Sequence, residues 1–377
     1  MPAIPVSTTA PAKDRVHLRE LDWLMLVTVS LSCLGLVMAV SVVGARVEVG
    51  PLVAVKQQSF KLLFGLAAFL TAAVLPMRLL CRLAVPLFFV TTALCLVPHL
   101  LPDVNGAHRW IRYGDHQFQP VEPARFFLIL TVALLLAPNP ERARAGGGAL
   151  RALGCALLLG GVLMSQPDNG NALLVMAIAS LLTLIAGVRM AFFLPLLGVG
   201  VAAFAFVALR HGYVRDRLSD FLTPAPDSQV GLGLIAVGSG GATGRGLGQG
   251  WMKMGFVPEA QNDFVFAIVG EELGFVGTAA VLLGFGAFGF IAWRLATKVR
   301  DPFLRYVVCG YALTICLQAA ANLLVVSGWA PAKGIDLPFV STGGTSLVFC
   351  FAAVGLIGNA ARTDAAWSGR SVGFTTS

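Results

Sequence analysis

Residues 256–275 read FVPEAQNDFVFAIVGEELGF, and where this stretch sits decides the fold. Phe264 to Val269 would suit lipid, yet Glu259, Asp263, Glu271 and Glu272 lie inside or against the run. A charge at mid-bilayer costs about 3 kcal/mol or more, so a chain that keeps one has a use for it. Pro258 is a natural breaker ahead of a helix, and Asn262 or Asp263 suits its N-cap, so the helix enters the membrane at Asp263. Glu271 and Glu272 then lie about 12 Å deeper along the axis. Eight positions at about 100° each turn Glu271 about 80° away from Asp263 and place Glu272 nearly opposite, so Glu272 is expected to pair with another helix.

The rest of the chain has the same character. Of 377 residues, 57% are hydrophobic and 12% charged, with a mean hydropathy of +0.80; soluble domains carry roughly 25% charge. Apolar runs recur at 22–43, 56–75, 79–98, 122–137, 149–165, 170–187, 190–209, 263–293, 303–327 and 338–361. Most reach the roughly 20 residues a spanning helix needs. The fold class expected is therefore all-α, a polytopic membrane protein of about ten transmembrane helices with a long outer loop, about 210–262, between helices 7 and 8. Residues 1–21 hold Lys13, Arg15 and Arg19 and show no small-residue cleavage site, so they read as a tail leading into an uncleaved first helix. The transmembrane domain is expected over 22–361, with a C-terminal tail over 362–377.

Lys and Arg concentrate in the short segments that lie on the N-terminal side, which predicts both termini in the cytoplasm. With that orientation, 13 of the 19 Asp and Glu fall on the outer side or in the membrane half facing it, which is where the chemistry is expected. A net charge of +8 suits anionic membrane lipids. No basic run interleaved with aromatics argues for nucleic acid, so no nucleic-acid partner is expected. The seven cysteines stand singly without CxxC spacing or nearby histidines and read as small core hydrophobes.

Two outer segments are long enough to be functional. In NGAHRWIRYGDHQFQPVEPARF, residues 105–126, Arg109, Arg112 and Arg125 flank Trp110, Tyr113 and Glu122. Guanidinium forks suit phosphate oxygens and aromatic faces suit sugars; an interfacial aromatic belt with snorkelling arginines explains the same pattern. SQPDNGN at 165–171 puts Asp168 in a tight turn, as a turn former or a site residue. GSGGATGRGLGQG at 238–250 is no P-loop, because Leu247 follows Gly246 where Lys is required. It reads as flexible or closely packed backbone beside a substrate groove. APAKGIDLPFVSTGGTS at 330–346 sets Lys333 and Asp336 ahead of the last span, with Lys333 placed to face an anionic ligand.

Taken in order, these motifs resemble the SEDS family (shape, elongation, division and sporulation), which includes FtsW and RodA. The resemblance runs from about Leu21 to Arg362, and Lys333-Gly334 leans slightly towards FtsW. It implies a ten-helix inverting peptidoglycan glycosyltransferase that polymerises lipid II at the outer face of the bacterial inner membrane. It also implies a class B penicillin-binding transpeptidase and other cell-division or elongation proteins as partners. The family's essential carboxylate falls on Asp263 and its loop tryptophan on Trp110; Glu122, Arg125, Asp168, Glu259 and Lys333 fall on further motif positions. Asp263 is then expected as general base, with Arg109, Arg112, Arg245, Lys333 or a divalent cation (Mg or Mn) stabilising the leaving pyrophosphate and no organic cofactor needed. The sequence departs from the family pattern at Pro123, Asn169, Gly255, Gln261 and Thr342. A lipid-linked oligosaccharide flippase, for which Glu271 and Glu272 would matter most, and a non-enzymatic scaffold of the division machinery are the competing readings.

Overall fold

A computed structural model describes residues 12–45, 50–102, 108–114, 116–137, 147–191 and 225–371, with isolated residues between 193 and 223. The helices are α1 (Ala12–Val43), α2 (Gly50–Val74), α3 (Met77–Leu94), α4 (Val121–Leu136), α5 (Gly147–Ser165), α6 (Asn169–Ile185), α7 (Gln229–Ser239), α8 (Val265–Lys298), α9 (Pro302–Val326) and α10 (Gly344–Ser371). Nine of the ten expected spans correspond to these helices. The remaining one, 190–209, and the start of the expected outer loop, 210–220, fall largely outside the described residues. Seven helices among the described residues are long and apolar enough to cross a membrane. Their outward faces fit that reading: Leu52, Phe60, Leu63 and Phe64 on α2 and Phe275, Leu283 and Trp293 on α8 are exposed. A water-soluble fold rarely leaves so much contiguous apolar surface uncovered.

The bundle packs α2 along α10, α3 along α4 and α5 along α6, with α8 in contact with α1, α7 and α9. Local chemistry sets several ends. Asp301 caps α9, accepting from Leu304 N at 3.0 Å, with Pro302 in the first turn. Ser228 caps α7 through Gly231 N at 3.1 Å. Between α3 and α4 a two-stranded hairpin, β1 (Ile111–Tyr113) and β2 (His116–Phe118), pairs Arg112 with Gln117.

The stretch expected as loop up to residue 262 holds α7, a short helix packed on α8. After it, the glycine-rich run folds back against α8 where that helix is broken. Gly274 has φ 64° and ψ −157°, a conformation only glycine adopts readily. The break frees backbone groups, and the glycine-rich run pairs with them. Arg245 N and Gly246 N donate to Glu271 O and Glu272 O, both at 3.0 Å, while Phe275 N and Val276 N donate to Gly241 O and Ala242 O at 2.9 and 3.1 Å. Irregular backbone among spanning helices is tolerated only when protein satisfies it in this way. The approach is close enough that a Cβ on Gly240 would fall 1.9 Å from Gly270 O. The run is closely packed, as expected, but against α8 rather than beside the cavity described below.

Glu271 and Glu272 belong to this junction. Glu272 accepts from Ser41 Oγ on α1 at 2.7 Å and from Lys253 Nζ at 2.6 Å. It also accepts from Gly248 N and Gly250 N at 3.0 and 3.3 Å. Glu271 accepts from Trp251 N at 2.8 Å and Met252 N at 3.2 Å. The expected partner helix for Glu272 is α1, and the returning segment supplies the remaining donors.

Candidate active site

Just before α8 the chain turns sharply. Glu259 has φ 52°, and Asn262 N and Phe264 N both reach back to its carbonyl, at 2.9 and 3.4 Å. Phe264 occupies the N-cap of α8 with no side-chain capping bond. Asp263 therefore does not cap the helix, contrary to the simplest reading of the sequence.

What holds Asp263 is the segment between α9 and α10. Asn322, on α9, donates from Nδ2 to Asp263 O and to Ile335 O, both at 2.7 Å. Ser341 Oγ donates to Asn262 O at 2.7 Å, and Thr342 N to Gln261 O at 3.0 Å. The Thr342 hydroxyl also lies 2.8 Å from Asn262 Oδ1, while Asn262 Nδ2 donates to Glu259 Oε2 at 2.9 Å. Gln261 and Thr342, two of the departures from the family pattern, are thus direct neighbours. From the other side Gln229 Nε2, at the start of α7, donates to Pro258 O at 3.1 Å.

The carboxylate of Asp263 and the guanidinium of Arg109 both lie beside Gly334. A Cβ placed on Gly334 would lie 3.2 Å from Asp263 Oδ2 and 3.5 Å from Arg109 Nη1. Arg109 is steered there by the turn before α6, donating from Nη2 to Pro167 O at 2.6 Å with Asp168 Oδ1 4.0 Å from Nη1. Asp168 is both cap and anchor. It accepts from Asn171 N at 3.4 Å and Asn171 Nδ2 at 2.8 Å. Asn171 Oδ1 in turn accepts from Arg125 Nη1 at 3.3 Å, and Arg125 Nη2 pairs with Glu122 Oε2 at 2.5 Å. A polar chain therefore runs from Arg109 to Glu122, tying the motifs at 105–126 and 165–171 together.

These groups surround a cavity of about 520 Å³, within the 300–1,000 Å³ usual for ligand sites. Asp263, Glu259, Arg109, Trp110 and Arg112 are among the residues that line it. Gln119, Glu122, Gln318 and Asp336 contribute further polar groups. The hairpin wall is fastened to α10 by Gln119 N donating to Thr345 Oγ1 at 3.3 Å. Arg125 and Asp168 stand behind the lining. Lys333 packs its stem against Gly170, 3.4 Å from the place of a Cβ there, while its neighbours Gly334 and Ile335 line the cavity. Burial lowers its pKa, partly opposed by Asp168. Arg245 sits by Glu271, at 4.0 Å, away from the cavity.

Three residues of this arrangement were not assigned from the sequence. Gln318 and Asn322, an i, i+4 amide pair in the apolar run LQAAANLL, carried a legible signal, since polar groups in a span are usually there for use. Asp336 was noted without a role. Its carboxyl is pushed up to about 7, first by burial and then by Glu122 and Glu259, against Lys61 and Arg125.

Comparison with known proteins agrees with this geometry. Residues 22–366 match the FtsW/RodA/SpoVE family, described as cell cycle protein. A probable peptidoglycan glycosyltransferase FtsW of Trichlorobacter lovleyi is 35% identical over 351 residues, spanning 89% of this chain and 91% of that protein. The corresponding protein of Saccharophagus degradans is 36% identical over 319 residues, 80% of this chain and 81% of its own. Among solved structures, a chain from a study of structural coordination of polymerization and crosslinking by a peptidoglycan synthase complex superposes with a TM-score of 0.73 at 30% identity, covering 90% of this chain and 97% of that one. The rod shape determining protein RodA of Thermus thermophilus superposes with a TM-score of 0.67 at 26% identity, covering 90% and 96%. With nearly its whole helical bundle matched in both sequence and structure, the chain belongs to the FtsW/RodA/SpoVE family of cell cycle proteins.

Proposed function

We propose that this protein is a peptidoglycan glycosyltransferase of the FtsW type, polymerising lipid II into glycan strands. The observation that carries the reading is Asp263, which lies just before the N-cap of α8 and lines a polar cavity together with Arg109 and Arg112. Asp263 takes the proton from the acceptor sugar hydroxyl as that oxygen attacks the anomeric carbon of the donor. The carbon–oxygen bond to pyrophosphate breaks, the pyrophosphate leaves with its electron pair, and a single displacement inverts the centre. General-base assistance of this kind is worth about 10² to 10⁴-fold. Arg109 and Arg112, which line the cavity with Asp263, are the cations proposed to receive the leaving charge.

The reaction needs no organic cofactor. Among the described residues no three His, Cys, Asp or Glu side chains form a metal cage. Glu259 and Asp263 are the cavity carboxylates that would hold a Mg or Mn ion, which would supply charge neutralisation for the leaving pyrophosphate. The cavity is lined in part by the segment 109–119, which the distribution of Lys and Arg predicts on the outer side; on that reading the site faces outward from the inner membrane with both termini in the cytoplasm. A class B penicillin-binding transpeptidase is the expected partner; the similarity to a chain of a peptidoglycan synthase complex supports it.

A proton-coupled flippase would draw on Glu271 and Glu272, but both are engaged by backbone donors, and Glu272 also by Lys253. The test is polymerisation of purified lipid II by the detergent-solubilised protein, with and without a class B transpeptidase, for wild type and Asp263→Ala. Glycan from wild type alone is the expected result. Equal product from both, or none from either with folding intact, would move the assignment to transport or scaffolding.

A further inference from the structure

We propose that Asp336 is a specificity-determining residue of the cavity, its carboxylate accepting hydrogen bonds from hydroxyl or amide N–H groups of the sugar headgroup bound beside Asp263. The inference rests on the glycosyltransferase reading and assigns a role to a group that the displacement chemistry leaves unused.

The geometry fixes this carboxylate from several sides. Its own backbone carbonyl accepts from Gln318 Nε2 at 3.0 Å, and the preceding carbonyl, Ile335 O, accepts from Asn322. The side chain rests on Gly343, where a Cβ would fall 2.0 Å from Oδ2 and 2.7 Å from Cγ. That turn is pinned from α2 by Lys61, whose Nζ donates to Thr342 O at 2.6 Å. Asp336 is thus a preorganised acceptor on a wall of the same cavity as Asp263. A sugar carrying hydroxyls and an N-acyl group presents donors of the matching kind. An acceptor held in place before binding costs little ordering when substrate arrives.

The surrounding charges make the group sensitive to pH. Lys61 faces it from α2, Glu122 and Arg125 from α4, and Glu259 from the turn before α8. Burial and the two glutamates outweigh the two cations, lifting the carboxyl to about 7. Above that pH the ionised group accepts strongly; below it the group is protonated and loses acceptor strength. The apparent affinity for the lipid-linked disaccharide therefore falls between pH 8 and pH 6.

The experiment measures KM and kcat for lipid II polymerisation at pH 6, 7 and 8 in the presence of the transpeptidase, for wild type, Asp336→Asn and Gly343→Ala. Thermal unfolding in detergent serves as the fold control. Asp336→Asn is expected to raise KM at pH 8 about tenfold, to change kcat by less than about threefold, and to flatten the rise of KM towards pH 6. Gly343→Ala, which drives a methyl group into the carboxylate, is expected to raise KM in the same direction without changing any charged side chain. Unchanged KM in both folded variants, a pH dependence that survives Asp336→Asn, or loss of kcat at constant KM would each overturn the proposal while leaving Asp263 chemistry intact. A wild type that makes no glycan at any pH would instead overturn the glycosyltransferase reading, and this inference with it.

Discussion

Asn322→Ala tests whether the base is positioned by α9. Asn322 Nδ2 bridges two carbonyls at 2.7 Å, Asp263 O on one loop and Ile335 O on the other. Removing it leaves both carbonyls short of a partner, at about 1.5 kcal/mol each. Among the described residues Asn322 Oδ1 is itself buried without a hydrogen-bond partner, and its removal returns about 1 kcal/mol of that. The net loss is about 2 kcal/mol, expressed as separation of the Asp263 loop from the 333–342 segment. If all of it is lost from positioning in the transition state, kcat falls about 30-fold, one decade per 1.36 kcal/mol, while KM changes little. Initial rates of glycan synthesis from lipid II, paired with thermal unfolding in detergent, read both quantities. A variant that polymerises at the wild-type rate while losing stability would refute the positioning role and leave Asn322 as a helix-packing residue.

Asp263→Asn is expected to lower turnover by about 10² to 10⁴-fold with lipid II binding retained, read by rate and by a separate binding assay. Gly334→Ala inserts a methyl group 3.2 Å from Asp263 Oδ2 and 3.5 Å from Arg109 Nη1; it is expected to cost about tenfold in kcat while leaving thermal stability near wild type. Asp336 has a folded-state pKa of about 7, above its usual 3.8. The stability associated with its neutral form is fully present below about pH 4 and lost as pH rises through 7, so Asp336→Asn removes that slope in a thermal-unfolding series from pH 5 to 8. Lys253→Met leaves Glu272 as an uncompensated buried charge and is expected to destabilise by about 3–5 kcal/mol, whereas the double variant Lys253→Met, Glu272→Gln recovers most of it; equal unfolding temperatures for the two would contradict this.

The spanning helices were legible because each is an apolar run long enough to cross a bilayer, and the register of Asp263 at a helix start followed from Pro258 and the onset of Phe264 to Val269. α7 was not legible. Eleven residues with four glycines or serines among them give no spanning signal, and the sequence does not show that they pack on α8. Nor was the break at Gly274, since glycine is common inside membrane helices and only the pairing with residues 241–246 reveals it. Within the site, Arg109, Trp110, Arg112, Glu122 and Glu259 were readable as charged or aromatic groups at a water interface, and the cavity gathers all of them. The packing of the Lys333 stem on Gly170 is not readable from the sequence, because their separation along the chain carries no direction. Asn322 carries the signal of a polar group in a span, but an amide there looks the same whether it joins two helices or holds a loop, so its partners Asp263 O and Ile335 O are not readable.

The four carboxylates of residues 256–275 divide by what their neighbours can donate. The deeper two meet ready-made donors: four backbone amides of the returning segment, Ser41 Oγ and Lys253 Nζ converge on them. Those donors are available only because the chain folds back beside a broken helix, so the carboxylates and the break stabilise each other. A carboxylate held this way gains structure but loses freedom to exchange protons with a substrate. The upper two are treated differently. Glu259 sits in a strained turn with one amide contact from Asn262, and Asp263 is fastened through its backbone carbonyl rather than through capping of α8. Fixing the main chain around a carboxylate that lines a cavity is what a general base requires, because its oxygens must change partners during the reaction. If Asp263 is the base proposed above, the bond from Asn322 to its carbonyl fixes its position while its carboxyl exchanges the proton.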